Sequence, residues 1–163
     1  MAMKLGGPLA DRDEWRATHC SVDLALSVVG TRTAMLLLRE AFYGTTRFHD
    51  FANRVGITDA AAAGRLKELA DIGVFEKRPY REEGQRTRYE YLLTDMGRAM
   101  LPTLLALMQW GDAYLQDDGG PLRVVEESTG APVRVQVCGP DGSEVPPEDL
   151  CVLPNRSSRS RTQ

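Results

Sequence analysis

A mainly α-helical fold carrying a small β hairpin, with a short β-like appendix toward the C-terminal end, is what this sequence predicts. Three observations carry that prediction. Residues 47–72 hold two amphipathic helical stretches joined by a short glycine-bearing turn; residues 74–93 hold two alternating stretches around a second glycine turn; residues 95–115 hold a long apolar stripe of helical period. At 163 residues the chain accommodates one domain plus appendages and can bury a real core. Its composition, 42% hydrophobic and 26% charged, is that of an ordinary soluble globular protein. There is no apolar run of about eighteen residues, so no membrane span is expected, and the first fifteen or so residues lack the apolar core of a signal peptide. A cytoplasmic setting with reduced cysteines follows as the expectation.

The elements are justified in order. Residues 1–10 bear Gly and Pro and are expected to be mobile, and 11–19 are expected to form a short helical arm anchored by Trp15. Ser21 caps a helix to Val29 whose Val22, Leu24, Ala25, Leu26 and Val28 make it apolar nearly all round. After Gly30, residues 32–43 form a second helix, most buried at 35–38 (MLLL). Gly44-Thr45-Thr46 is a turn that could add a short third strand to the hairpin sheet. The next helix carries Phe48, Phe51, Ala52 and Val55 at i, i+3, i+4 and i+7, and Gly56 caps its C-terminus. Thr58 caps the following helix, with Asp59 in its first turn; Ala62, Leu66, Leu69 and Ile72 face inward and Gly73 ends it. Two helices so joined form a helix-turn-helix, which sets its second helix in a DNA major groove. Strands at 74–80 and 87–93 around the 81–86 turn complete a winged helix. DNA binding is therefore expected.

Thr94 caps a helix over 95–115 with Met96, Met100, Leu104, Leu107, Met108, Gly111 and Leu115 on one stripe. Leu101 and Leu105 give it a second apolar face, best explained by packing against a partner. Pro102 should kink it. The residues 117–120, Asp-Asp-Gly-Gly, read as a linker to a β-like appendix containing VRVQV, a Gly139-Pro140-Asp141-Gly142 turn and SEV. The expected division is an arm at 1–19, a winged-helix domain at 20–116, linker and appendix at 117–155, and a disordered basic tail at 156–163.

Net charge is −3, which argues weakly against nucleic-acid binding, but the wing concentrates Lys77, Arg78, Arg81, Arg86 and Arg88 against Glu82, Glu83 and Glu90. On the second helix of the motif, Ala60, Ala63, Gly64, Lys67 and Asp71 face opposite to the apolar stripe. Base readout needs donors and acceptors, and this face offers little beyond Lys67. Thr58 and Asp59 stand at the helix N-terminus, whose free amides suit a phosphate. The expectation is a smooth helix deep in the groove, alanine methyls on thymine methyls, with Arg47, Arg65, Arg86 and Arg88 on phosphates or in the minor groove. Gly64 costs the helix about 1 kcal/mol relative to Ala, consistent with close backbone approach. The alternatives stay open: an alanine run is also the best helix former, Arg65 can pair with a neighbouring acid, and wing arginines can be a solvated tip. Arg156, Arg159 and Arg161 read more readily as an inert tail than as a DNA arm.

Cys20 follows His19 at a helix start, a place that favours the thiolate; a small buried residue is the plainer reading. Cys138 and Cys151 lack metal-ligand spacing, so neither metal nor cofactor is expected. Trp110, Met108 and Met100, with Phe42, Tyr43 and Trp15, could line a small-molecule pocket between protomers, but such a stripe is more often core or dimer seam. There is no phosphate loop, nucleophile motif or metal-ligand cluster, and only two histidines, His19 and His49; no enzymatic activity is expected.

The stretch from Cys20 to Leu115 resembles the HxlR family of bacterial winged-helix regulators, relatives of the MarR group. The marks, in order, are Cys20 before an apolar helix, LLLRE ahead of Gly44, Arg47-Phe48, Gly56-Ile57, Arg65-Leu66-Lys67-Glu68-Leu69, and Gly73 leading into Arg78-Pro79-Tyr80. The run RYEYLLT at 88–94 with Gly97-Arg98 is the most specific, and LMQWG at 107–111 closes the set. The resemblance implies a homodimer paired through its N-terminal and long C-terminal helices, with Trp15, Leu24, Met100, Leu104, Leu107, Met108, Trp110 and Leu115 at the seam. It implies binding to a double-stranded DNA operator, usually to repress, with release by a small-molecule or electrophile effector. In some members a cysteine at the place of Cys20 senses oxidants. The chain departs from the pattern at Thr33, where a Trp is common, and at Ala60 to Gly64, where polar groups are usual. Only Cys138 remains of a paired-cysteine pattern, with Asp141 in place of its second cysteine. A winged-helix dimerisation or protein-interaction module with weak or lost sequence-specific DNA binding is the alternative.

Overall fold

The computed structural model describes every residue except Met1, Glu14, Trp15, Ala17, Thr18 and 156–163. The anchoring role expected of Trp15 and the basic tail thus lie outside the described residues. In chain order the elements are β1 (Lys4–Leu5), α1 (Ser21–Val29), α2 (Arg32–Phe42), α3 (Phe48–Val55), α4 (Asp59–Asp71), β2 (Phe75–Tyr80), β3 (Arg88–Leu93), α5 (Asp95–Arg98), α6 (Leu101–Tyr114) and β4 (Cys151–Val152). They fall into two units: residues 21–134, and residues 1–20 with 135–163. Residues 121–134 therefore group with the helices, and the N-terminal arm groups with the rest of the appendix.

In the larger unit, caps and glycines punctuate the helices where the local sequence supplies them. The hydroxyl of Thr31 accepts from the Ala34 amide at 3.2 Å, and that of Thr58 accepts from Ala61 at 3.2 Å. Gly56 ends α3 in the left-handed conformation at φ 70°, which a side chain would strain. The apolar faces of α2, α3 and α4 then meet the base of the wing. Leu37, Leu38, Phe51, Leu66, Leu69, Val74 and Phe75 are fully buried there. Phe51, Phe75 and Tyr91 pack edge to face, with centroids 5.9 to 6.5 Å apart, and tie α3 to both wing strands. Burial raises the pKa of Tyr91 above the ordinary phenol value.

Strands β2 and β3 pair antiparallel from Phe75 opposite Leu93 to Tyr80 opposite Arg88. The third strand expected at 44–46 is reduced to one bridge between Arg47 and Glu90, with the Tyr91 amide donating to the Thr46 carbonyl at 2.8 Å. Ile72, expected inside, is 47% exposed. The helix ends one residue earlier, and Gly73 at φ 94° turns the chain so that Val74 takes the core position instead.

The helix expected over 95–115 is broken. It ends at Arg98 and restarts at Leu101, with Ala99 and Met100 between. The discontinuity precedes Pro102 rather than centring on it, because in the first turn of α6 the missing proline N–H has no helical partner to lose. At the break Met100 turns in against the core. The short α5 is a fastener. Thr94 accepts from the Gly97 amide at 3.2 Å and donates to the Gly73 carbonyl at 2.5 Å, joining the end of the wing to the end of α4. A Cβ at Gly97 would overlap the Val74 carbonyl oxygen and lie 2.9 Å from the Leu93 Cδ2 atom. Gly97→Ala is accordingly expected to lower stability by about 1–3 kcal/mol, as overpacking does, read as a fall in the urea midpoint at unchanged slope.

No residue of α6 is fully buried, and Leu107, Trp110 and Leu115 are each more than half exposed. The same holds for Val22, Leu24 and Leu26 on α1, where only Val29 is buried.

In the smaller unit, the first ten residues are not the free segment expected from their glycines. β1 pairs parallel with β4, the Lys4 amide donates to Leu150 O and the Gly6 amide to Val152 O, both at 3.0 Å, and Leu9 is buried. Residues 11–13 form a turn rather than the expected helix. The appendix expected to be β-like after the 117–120 linker makes isolated bridges there, not ladders: Val125 with Pro132, in the larger unit, and Cys138 with Glu144. Prolines at 132, 140, 146 and 147 cannot donate, which is the physical reason. Ser143 donates through both its amide and its hydroxyl to Asp141, which lowers the Asp141 pKa and shapes the 139–142 turn.

Candidate nucleic-acid interface

Helix α4 presents Ala60, Ala63, Gly64, Lys67 and Asp71 to solvent while Ala62, Leu66 and Leu69 are buried. A Cβ at Gly64 would meet nothing within 4 Å, so neither packing nor backbone conformation requires glycine there. The cations on this helix are engaged. Lys67 Nζ lies 2.5 Å from Asp71 Oδ2, and that hydrogen bond together with the attached charge raises the Lys67 pKa. Arg65 Nη1 lies 2.7 Å from Glu68 Oε2. Thr58 spends its hydroxyl oxygen on the cap, and the Asp59 carboxylate stands 3.9 Å from His49 Nδ1.

The wing divides differently. Arg47, just ahead of α3, pairs with Glu82 of the wing turn at 2.8 Å and has its guanidinium carbon 5.0 Å from the Tyr80 ring centroid. Arg78 pairs with Glu90 at 3.0 Å, and Arg81 donates to the Gln85 carbonyl at 3.0 Å. Arg86 and Arg88 are exposed and, among the described residues, have no ion pair with an acid. Beside them an open cleft of about 460 Å³ between α3 and the wing is lined by Phe48, His49, Lys77, Tyr80, Tyr89 and Tyr91 as well as both arginines, with no carboxylate. Lys77 Nζ sits 4.3 Å over the Tyr89 ring. From sequence Lys77 was one of the cations concentrated on the wing but was not assigned a contact of its own. The signal was there for Lys77, which follows Glu76 and precedes Arg78 on a strand where alternate residues share a face.

Of the expected seam residues, Leu24, Leu107, Trp110 and Leu115 are exposed, and Met100 packs on the core. Leu104 and Met108 line an apolar cavity of about 600 Å³ between α2 and α6, with Met35, Phe42 and Leu105, and with Arg39 and Asp112 at its polar edge. Cys20 is half-buried directly before α1, next to His19 at φ 60°. Cys138 and Cys151 are exposed. Among the described residues no group of His, Cys, Asp or Glu is arranged to hold a metal, and no single helix is long and apolar enough to cross a membrane.

A helix-turn-helix whose second helix is outward-facing, followed by a basic two-stranded hairpin, defines a winged-helix DNA-binding transcription regulator. Residues 28–119 match the HxlR-like helix-turn-helix family, and the chain belongs to that family. The uncharacterised HTH-type transcriptional regulator Rv3095 of Mycobacterium tuberculosis is 35% identical over 144 residues, spanning 86% of this chain and 89% of its own. Among solved structures, PA1607, described as a candidate transcription factor, is 40% identical with a TM-score of 0.74, covering 83% of this chain and 95% of that one. The redox regulator HypR in its reduced form is 26% identical with a TM-score of 0.54, covering 60% and 95%.

Proposed function

We propose that this regulator acts in the cytoplasm as a homodimer that represses transcription from a double-stranded operator and is released by a small molecule or by thiol modification at Cys20. The observation that carries the DNA reading is the pair Arg86 and Arg88, held by no acid among the described residues, beside a cleft lined by no carboxylate and one helix away from α4. Phosphate contacts supply affinity, and this is where cations are available for them. The exposed apolar residues of α1 and α6 support the dimer. Cys20, half-buried at a helix start, and the fold shared with a protein named a redox regulator support the thiol route. Under this reading Arg47, Thr58, Asp59, Ala60, Ala63, Gly64, Arg65, Lys67, Arg86 and Arg88 meet DNA. Leu24, Leu104, Leu107, Met108, Trp110 and Leu115 meet the second copy.

The test is fluorescence anisotropy on duplexes tiling the region upstream of the gene for this chain, at several salt concentrations, with sedimentation alongside. Tight binding to one duplex by a dimer, weakening steeply with salt, is expected. Equal, weak binding to every duplex would favour the other reading, a winged-helix interaction module. One observation speaks for that module: the outer face of α4 holds methyls and a glycine, and both of its cations are held by acids of the same helix.

A further inference from the structure

We infer that Glu82 is a built-in competitor for the DNA backbone: its carboxylate occupies the Arg47 guanidinium where a phosphate oxygen binds, and duplex binding exchanges one anion for the other. This rests on the DNA reading above. Arg47 is oriented from two directions, by Glu82 at 2.8 Å and by the Tyr80 ring at 5.0 Å from its guanidinium carbon. The ring contact does not involve the acid, so the guanidinium remains oriented when the carboxylate leaves. Nor does the wing turn need that carboxylate. The turn is closed by the Gln85 amide on the Glu82 carbonyl and by Arg81 Nε on the Gln85 carbonyl, both at 3.0 Å, with Gly84 at φ 75°. The Glu82 side chain can therefore rotate away without unmaking the hairpin.

The pair is open to water, its side chains 54% and 39% exposed, so its net strength is small and a phosphate can displace the carboxylate. The surroundings favour that exchange, since Lys77, Arg86 and Arg88 line the neighbouring cleft with no acid among them. The paired cations of α4 differ in kind. Arg65–Glu68 and Lys67–Asp71 are partners three and four residues apart on one helix. Arg47–Glu82 instead links the start of α3 to the tip of the wing, so its opening frees the wing tip as the protein docks.

The experiment compares wild type, Glu82→Gln, Arg47→Gln, the double variant and Glu83→Gln on the best duplex from the tiling. Glu82→Gln is expected to tighten binding about two- to fivefold, the scale of an exposed ion pair. Arg47→Gln is expected to weaken binding and to lower the log–log salt slope by about 1. In the Arg47→Gln background the Glu82→Gln gain should vanish. Equal tightening by Glu83→Gln, or a gain that persists without Arg47, would make the effect a general charge term and overturn the inference. So would weaker binding by Glu82→Gln, which would mark the pair as a strut. Without DNA, the Arg47 Nε–H resonance should move in Glu82→Gln and stay in Glu83→Gln. A resonance that does not move overturns the competitor while leaving the DNA reading standing; failure of every variant to bind any duplex overturns the DNA reading itself.

Discussion

Reversing both free wing arginines, Arg86→Glu with Arg88→Glu, is expected to abolish measurable operator binding while leaving the fold intact. Each substitution removes a cation and sets an anion against the phosphate backbone. Hydrogen bonds to charged groups contribute about 1.5–3 kcal/mol each, so losing two corresponds to a drop of roughly 10²- to 10⁴-fold before repulsion is counted. The salt slope should fall by about 2, one for each lost phosphate contact. Both side chains are exposed and unpaired among the described residues, so the melting temperature should shift little. Anisotropy across a potassium chloride series, with a thermal melt as control, checks both halves. Unchanged affinity and slope would move the contacts off the wing and favour the interaction module.

Phe51→Ala is the change expected to damage the fold most. Phe51 is fully buried, and its ring packs edge to face on Phe75 and Tyr91. It is therefore the point at which α3 and both wing strands share one contact. A buried Phe→Ala substitution costs about 3–5 kcal/mol, against a typical domain stability of about 5–15 kcal/mol. Chemical denaturation should show the loss directly, and DNA binding should fall with the folded fraction. Leu107→Ala, on the exposed side of α6, provides the contrast. Its effect on monomer stability should be small, and any loss should depend on protein concentration, as expected of a dimer contact.

The helix-turn-helix was legible because its signals are local. The Phe48 to Val55 stripe, the left-handed Gly56, the Thr58 cap and the Gly73 stop each act within a few residues. The two wing strands followed from alternation around one glycine turn, each starting one residue later than expected, at Phe75 and Arg88. The break after Arg98 was not legible, because helical period continues through it in the sequence. What interrupts the helix is the docking of Gly97 against Val74 and the inward turn of Met100, both contacts with other elements. For the candidate site the limit was charge pairing. Arg47, Arg65, Arg86 and Arg88 look alike as letters, yet the first is held by Glu82, the second by Glu68, and the last two by no acid among the described residues.

By itself, then, the sequence determined the winged-helix architecture, since caps, period and positive-φ glycines act over one or two turns of chain, and its RYEYLLT and LMQWG runs carried the resemblance to the family. Only the tertiary structure decided which cations are free for phosphate, where the last long helix breaks, and that the two ends of the chain meet as β1 and β4. Those outcomes depend on groups distant in sequence coming within a few ångströms, and a linear pattern carries no record of that distance.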